Sequence, residues 1–561
     1  MKTCRVAVGS VVSAAIWLAA LSASHSQTHP PPVPTTVAQW AEGAQLFDGL
    51  GDFHRAVTTA SPEAQAYFDQ GMRFLWAFNH DEATRSFAKA AQLDPSCAMC
   101  FWGVALTVGP NYNLPMMAAP RAQVAWEALN QAEAQASRGT PVEQALIKAL
   151  ASRYPNANPL DPTTEDPILR AYADAMRSVA VKFPDDADVQ VLTTESLMNI
   201  HAWKLWSLDG KLADGTEEIV ARFEAILATN PNHPGANHYY IHATEASPHP
   251  EKAVPSAERL PGMMPAAGHM EHMPAHTMQR VGRYEDAAEA NRKGAAADVA
   301  YYAKTPPPDY YTAYTGHNYQ FLAFSAAMEG RKAEVIEAVR ESRATLPDHA
   351  LMMMPGMAWQ VADLYTAMVR FGMWDEILAM SPPSAPIPGL DVGYRYAQAT
   401  ALAAKGRIDE AKASTAELER IVGGVGADVP AGLNHARDVF PIAVVVVKAR
   451  IAAAEHKDQE SIALLRNAVA MEDKLAYSEP ADWFFPSRHL LGAALLRAGQ
   501  PAEAEAVYRE DLRRNPENGW ALCGLAQSLK AQQRDAEAQA VQQRFEAAWK
   551  NADTPINSSA F

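Results

Sequence analysis

Apolar and small residues recur along this chain at helical spacing, and no stretch shows the strict alternation of a half-buried strand. The clearest unit starts at residue 67, with the sequence YFDQGMRFLWAFNHDEATRSFAKAAQLDP. Gly71 and Ala83 are small enough to let two antiparallel helices approach closely. Phe74 and Phe87 fill the space between the helices, and Pro95 ends the second one. The unit is therefore predicted to be a helical hairpin.

The same spacing returns elsewhere in the chain. Near the C-terminus, Gly492, Ala504 and Tyr508 repeat it in RHLLGAALLRAGQPAEAEAVYREDLRRNPEN, and a further unit follows directly. Less regular copies lie between the two ends. Residues 41–551 thus resemble the tetratricopeptide repeat (TPR) family, whose period is about 34 residues. The resemblance implies an all-α fold, a superhelical solenoid of stacked antiparallel helical hairpins.

Two segments depart from the repeat pattern. Residues 109–121 (GPNYNLPMMAAPR) and 299–314 (VAYYAKTPPPDYYTAY) are too rich in proline, tyrosine and asparagine for uninterrupted helix. Insertions of this kind often cover the binding face of a solenoid, so we expect inserted loops at both places. Residues 552–561 are predicted to be a flexible tail.

The first residues have the features of a secretory signal peptide. Lys2 and Arg5 precede an apolar run over residues 6–23, and small residues follow it. We assign residues 1–26 to the signal, with an uncleaved membrane anchor as the alternative, and 27–40 to a proline-rich linker. No second long apolar span follows. The sequence therefore predicts a periplasmic or secreted, bacterial-type member of the family with no membrane span after signal cleavage.

The net charge argues against one class of partner, and the spacing of two cysteines predicts a disulfide. The formal net charge is −16, and no Lys/Arg-rich run of the kind that follows a phosphate backbone is present, so nucleic acid is not an expected partner. In an oxidising compartment, Cys97 and Cys100 are predicted to form a local disulfide. A redox-active dithiol and a thiolate metal site remain the alternatives for this pair.

Histidines are concentrated in one stretch, residues 237–283, which holds six of the chain's seventeen together with five methionines. His238 and His242 are four residues apart and share one helix face, and Glu245 lies three residues further on. The TPR resemblance implies that the second, fifth, ninth and twelfth places of each first helix face the concave groove. That register directs a set of histidines into one groove, namely His238, His242, His269, His272, His276 and His317.

Pro274 is the weak point of this register. It lies between His272 and His276, and a proline inside a helix removes a hydrogen bond and kinks the chain. A helix that begins near Pro274 would leave His269 and His272 in the preceding turn.

The chemistry of the cluster favours a transition metal. Neutral imidazole binds zinc, copper, nickel and iron, and two histidines one turn apart can chelate one ion. The alternation of histidine and methionine over residues 268–276 favours copper, because thioether sulfur is a soft ligand. Zinc or iron, with Glu245 or Glu271 as an oxygen ligand, is the competing assignment. A pocket for an anion and a hydrogen-bonded structural cluster are the non-metal alternatives.

The sequence thus predicts an exported TPR-type protein with a histidine-based transition-metal site in its concave groove. If it is an enzyme, a copper- or other metal-dependent oxidoreductase is expected, with Glu245 orienting a ligand. The alternatives are a scaffold that binds a peptide or envelope protein, a metal storage or delivery protein, and a purely structural metal. Glu479 and Arg488 are read either as an ion pair in the groove or as part of a structural repeat junction. No Walker loop, GxSxG, HExxH or dinucleotide fingerprint occurs.

Overall fold

The computed structural model describes residues 33–161, 164–305 and 309–561, apart from the side chains of residues 309, 310 and 353. The predicted signal peptide, residues 1–26, and residues 27–32 of the linker assigned to 27–40 lie outside the described residues. The end of that linker is not extended, because it enters a helix, Val37–Ala41. Within the described residues, regular structure is almost entirely helical. The one two-stranded antiparallel sheet there joins β1 (Pro430–Ala431) to β2 (Asn434–His435). The expected all-α fold of stacked helical hairpins is confirmed.

The α-helices are 5 to 20 residues long, and most of them follow the previous helix after a short turn. The first fourteen are α1 (Val37–Ala41), α2 (Pro62–Trp76), α3 (His80–Leu93), α4 (Ala98–Thr107), α5 (Ala119–Gln135), α6 (Pro141–Ala151), α7 (Asp166–Lys182), α8 (Ala187–Met198), α9 (Thr216–Thr229), α10 (Pro234–Thr244), α11 (Val254–Arg259), α12 (Gly268–His272), α13 (Pro274–Arg280) and α14 (Tyr284–Tyr302). The others are α15 (Asp309–Met328), α16 (Lys332–Thr345), α17 (Asp348–Met353), α18 (Pro355–Gln360), α19 (Asp363–Arg370), α20 (Trp374–Ala379), α21 (Pro388–Ala404), α22 (Ile408–Gly424), α23 (Ala436–Ala454), α24 (Asp458–Glu472), α25 (Ser487–Arg497), α26 (Pro501–Arg514), α27 (Gly519–Ala531) and α28 (Asp535–Ala548).

Glycines allow the helices of a hairpin to close on one aromatic ring. A Cβ atom on Gly71 would lie 2.6 Å from the ring of Phe87, and one on Gly103 would lie 2.4 Å from it. The C-terminal repeats use the same device, because a Cβ atom on Gly492 or Gly524 would come within 2.3 Å of Tyr508. These contacts are too short for any side chain beyond hydrogen. The small-plus-aromatic spacing in the sequence therefore marks the points of closest helix approach.

Of the two expected inserted loops, the first is present and the second is largely helical. Residues 109–118 form no regular element, but α14 continues to Tyr302 and α15 begins at Asp309, so most of the predicted 299–314 loop is helical. The reason is tertiary packing: Tyr301 is buried, its hydroxyl donates to Glu82 over 2.8 Å, and its ring lies 5.6 Å from that of Tyr311. Burial of these rings outweighs their modest helix propensity.

The predicted flexible tail, residues 552–561, is instead packed against the last repeats. Ser559 is buried, and its hydroxyl donates to the carbonyl of His489 over 2.7 Å. The Tyr508 hydroxyl lies 2.6 Å from the same Ser559 oxygen. The polar composition of this segment predicted exposure, but its serine satisfies a buried tyrosine and a backbone carbonyl.

Two further features bear on the earlier expectations. Cys97 and Cys100 are joined by a disulfide, with their Cα atoms 5.4 Å apart, at the start of α4. Among the described residues, no helix combines the length and the apolar character that crossing a bilayer requires.

A chain of buried polar groups ties α19, α25 and α26 together. Arg370 donates to Nδ1 of His489 over 2.7 Å, and Nε2 of His489 lies 2.8 Å from Oδ2 of Asp511. Asn518 donates to the same carboxylate over 2.9 Å. Burial alone would raise the pKa of Asp511, but His489 and Asn518 outweigh it and hold that pKa below its ordinary value.

We expect Asp511→Asn to lower the free energy of unfolding at pH 7 by about 2–4 kcal/mol, because it leaves a buried network without its charge. A depressed folded-state pKa means that the carboxylate stabilises the fold above the unfolded-state pKa of about 3.9 and loses this effect as pH falls through the folded-state value. The difference between wild type and variant should therefore shrink below about pH 4 in urea denaturation. Glu503→Gln, an exposed change on α26, is the control. A difference that stays constant down to pH 3 would contradict the assignment.

Candidate metal centre

Four helices bring the six predicted histidines together. His238 and His242 lie one turn apart on α10, His269 and His272 lie on α12, His276 on α13 and His317 on α15. All except the half-buried His317 are buried, with exposures between 0% and 2%. The sequence placed them along an open concave groove. In the structure, five of the six are instead buried by neighbouring side chains.

The local sequence explains why α10 begins at Pro234. His233 lies at its N-cap, where Nδ1 accepts a hydrogen bond from the backbone N–H of Ala236 over 3.1 Å, and Pro234 follows at the first helical position. Nε2 of His233 is 2.9 Å from Asp188. His233 is therefore a capping residue, and the two histidines of the next turns project from a fixed helix start.

Pro274 does not separate the histidines of α12 from that of α13. Met273, between the two helices, keeps right-handed helical backbone angles (φ −52°, ψ −35°), and its N–H bonds the carbonyl of His269 over 3.0 Å. Pro274 takes the first position of α13, where a missing N–H costs little. His269, His272 and His276 therefore lie along one slightly interrupted helix.

The ring nitrogens fall into two groups of three, in each of which the three candidate ligand atoms lie within 4.8 Å of one another. We call His238, His242 and His269 the first triad, and His272, His276 and His317 the second triad. The two triads are adjacent. Ring centroids of His242 and His276 are 5.7 Å apart, as are those of His269 and His272.

Hydrogen-bond acceptors hold the Nδ1 side of three rings. The Nδ1 atoms of His238 and His272 lie 2.5 Å from the carbonyl oxygen of Trp76 and 2.6 Å from Oδ1 of Asn291. The Nδ1 atom of His242 lies 3.1 Å from Oε1 of Glu245. With Nδ1 as the donor to these acceptors, Nε2 of His238 and Nε2 of His242 each carry a free lone pair and are the atoms available to a metal. Nε2 of His272 instead lies 2.9 Å from Nε2 of His276.

Three of the rings have buried nitrogens that no protein group satisfies. In the described part of the chain, Nε2 of His238, Nε2 of His242 and both ring nitrogens of His269 have no hydrogen-bond partner. A buried nitrogen without a partner is costly and usually has a reason. All of these atoms belong to the first triad, where a bound metal ion would satisfy at least three of them.

A third group of candidate ligands combines His276 with Glu245 and Glu479. Nδ1 of His276 lies 2.6 Å from Oε2 of Glu479 and 2.9 Å from Oε2 of Glu245. Of the two readings of Glu479 and Arg488, the structure does not show the ion pair, because Arg488 binds Asp473 over 2.7 Å. Glu479 instead reaches the histidines from a segment more than two hundred residues away in the chain.

Burial keeps most of the histidines neutral. It lowers the pKa of His238, His269 and His272 well below the ordinary histidine value, because charging a ring in this interior is unfavourable and the neighbouring rings add repulsion. Burial, with a contribution from His276, lowers the pKa of His317 to about 3. Neutral imidazole is the form that binds a metal ion, so the site needs no deprotonation at these positions.

His276 differs because two carboxylates face it. Burial opposes its charged form, but Glu245 and Glu479 outweigh burial and raise the pKa of His276. For Glu245, the attraction of His242 and His276 outweighs burial and lowers its pKa, whereas burial raises the pKa of Glu479. Without a metal, the three groups form a buried ion pair with a second carboxyl group beside it.

Aromatic side chains enclose the first triad. The ring of Phe78 lies 4.6 Å from that of His238, and Tyr112 lies 5.3 Å from His242. Trp203 and Tyr314 lie 5.7 Å from His242 and 4.8 Å from His269. Tyr112 belongs to the irregular segment 109–118, which therefore covers part of the candidate site.

The neighbouring methionines have a different role. Met270, Met273 and Met278 are buried members of the hydrophobic core, as core methionines usually are. Glu271, considered above as an oxygen ligand, accepts a hydrogen bond from the backbone N–H of Gly262 over 2.7 Å. The donors that the fold groups together are imidazole nitrogens, with Glu245 and Glu479 behind them.

Sequence reasoning named Glu245, the acceptor of His242, but missed the acceptors that orient His238 and His272. Trp76 acts through its backbone carbonyl, which no side-chain pattern reports. Asn291 lies on α14, one turn after Ala287, and it is buried on the face of that helix that packs into the core. A polar asparagine on this face was the one feature of the sequence that could have indicated its role.

No family model and no curated protein matches this chain. Among solved structures it is similar to a human IFIT1 dimer with m7Gppp-AAAA, at 12% identity over 92% of this chain and 97% of that one, with a TM-score of 0.30. It is also similar to the APC/C hetero-tetramer Cut9–Hcn1 (14% identity, 87% and 74% coverage, TM-score 0.29) and to yeast Tom70 (12%, 88% and 92%, 0.29). TM-scores this low support no inference about function.

Proposed function

We propose that this protein is an exported TPR-like solenoid that binds a transition-metal ion, with copper favoured, through the histidines of α10, α12, α13 and α15. One observation carries the proposal. In the first triad, three buried imidazoles bring their nitrogens within 4.8 Å of one another, and the available nitrogens have no hydrogen-bond partner among the described residues. A hydrogen-bonded structural cluster would satisfy its own nitrogens.

The donor set fits a transition metal better than a hard cation. Imidazole nitrogen suits copper, zinc, nickel and iron, and among divalent ions of the first row copper binds such sites most tightly. Copper bound there would supply one-electron redox chemistry. The chain's own contribution is to hold the rings by their Nδ1 atoms and to exclude water with Phe78 and Tyr112.

Metal content after loading tests the proposal. The chain without residues 1–26 is incubated with Cu(II) or Zn(II), desalted and measured by elemental analysis. We expect at least about one retained equivalent of copper, and a value below roughly a tenth of an equivalent for every metal overturns the proposal in favour of a scaffold or structural cluster.

Matched variants locate the bound ion. His242→Ala with His276→Ala removes one ring from each triad and should reduce retention strongly, whereas His249→Ala, at an exposed histidine beside Glu251, should not. Circular dichroism checks that helicity is kept. If the double variant does not fold, His238→Gln alone is measured. Unchanged retention in every folded variant contradicts binding at these residues.

A further inference from the structure

We propose that the centre holds two metal ions side by side, one on the first triad and one on the second. The inference rests on the proposed function and extends it. Each triad supplies three candidate nitrogen atoms within 4.8 Å of one another. An ion bound by three imidazoles at about 2.0–2.1 Å needs its ligand nitrogens roughly 3–3.5 Å apart, which small ring rotations reach from this arrangement.

The distance between the triads matches a paired centre. The rings of His242 and His276, one from each triad, have centroids 5.7 Å apart, and so do the rings of His269 and His272. Within the second triad, Nε2 of His272 lies 2.9 Å from Nε2 of His276. Metal pairs in proteins are typically about 3.5–4 Å apart, a spacing that two sets of ligands in direct ring contact can support.

Two carboxyl groups lie close enough to the triads to offset part of the charge of two cations. Two neighbouring metal ions repel each other, and a buried site can hold them only with negative charge close by. Glu245 lies 3.1 Å from His242 of the first triad and 2.9 Å from His276 of the second, so one carboxylate is linked to both. Glu479 adds a second carboxyl group at His276.

The second ion has two sets of candidate ligands, and the geometry points to the second triad. The alternative is the group of Glu245, His276 and Glu479, which uses Nδ1 of His276. That nitrogen already faces Glu479 over 2.6 Å, whereas Nε2 faces His272. A histidine that donates Nδ1–H to a carboxylate and offers Nε2 to the metal is the common arrangement in metal sites.

Three protein ligands per ion leave a coordination position open on each metal. Aromatic side chains cover both triads, since Tyr314 packs on His269 and Phe321 lies 5.3 Å from His272.

Copper titration of the chain without residues 1–26, with elemental analysis after desalting, tests the inference. We expect about two equivalents in the wild type and about one in each single-triad variant, His238→Ala with His269→Ala or His272→Ala with His317→Ala. One equivalent in the wild type overturns the pair but leaves the proposed function standing. None overturns both. Gln replaces Ala in any variant that fails to fold.

Two further measurements decide adjacency and ligand set. When both sites hold Cu(II), the electron paramagnetic resonance signal should be much weaker or broader than the sum of the two single-triad variants, because neighbouring spins couple. A signal equal to that sum overturns adjacency. Glu479→Gln should still bind two equivalents, and its fall to one would assign the second ion to the carboxylate group instead.

Discussion

Replacing Glu245 with glutamine will weaken copper binding by about ten- to a hundredfold, the usual effect of removing a carboxylate that orients metal-bound histidines. Glu245 is 1% exposed and touches one histidine of each triad, His242 and His276. Glutamine keeps the size of the side chain but removes its charge, so both rings lose orientation and the two cations lose their nearest compensation. Competition with a chelator of known copper affinity measures the change.

The chain contains a matched control for this substitution. Glu251 lies 3.1 Å from Nδ1 of His249, the same distance as that between Glu245 and His242, but both side chains are more than half exposed. Glu251→Gln therefore repeats the chemical change on a carboxylate–histidine pair outside the candidate centre. Equal copper affinity in the Glu245→Gln variant and the wild type would show that Glu245 does not support the ligands.

Replacing Phe78 with alanine is expected to lower the free energy of unfolding by about 3–5 kcal/mol, the cost of removing a large buried aromatic side chain. Phe78 is 1% exposed, and its ring packs on all three histidines of the first triad at centroid distances of 4.6, 5.6 and 5.7 Å. Urea denaturation measures the loss.

Leu208→Ala is the control for the Phe78 variant, because Leu208 is 60% exposed and its truncation should change stability by less than about 0.5 kcal/mol. The Phe78 variant should also lose copper affinity mainly at the first triad, since the rings that it leaves unsupported belong to that triad. A variant that loses less than about 1 kcal/mol would show that the ring cavity collapses without cost and that Phe78 does not fix the triad.

The repeat architecture was predictable from the sequence because it is a local property. Gly71 with Phe87 and Gly492 with Tyr508 are close-approach pairs within one hairpin, and each is visible as a spacing of small and aromatic residues. The pairing of His238 with His242 on one helix face also follows from helical geometry alone. These features depend on neighbours within a few turns, and the structure keeps them.

Other expectations failed where long-range packing decides. The 299–314 segment is largely helical because Tyr301 is buried against Glu82, and residues 552–561 pack because Ser559 satisfies Tyr508 and the His489 carbonyl. The expected loop is thus mostly helix, whereas the tail keeps an irregular backbone but packs against the last repeats. The amino-acid composition of a segment does not show which distant surface will bury it.

The sequence by itself predicted the solenoid of helical hairpins, because small and aromatic residues recur at helical spacing, and the TPR resemblance implied the set of six histidines. Only the tertiary structure decided that the histidines form two adjacent triads, that five of the six are buried, and that Glu479 reaches His276 from 203 residues away. The physical reason is that ring-to-ring distances across four helices depend on how the repeats stack. That stacking is set by the sum of many contacts between distant residues, which no local pattern contains.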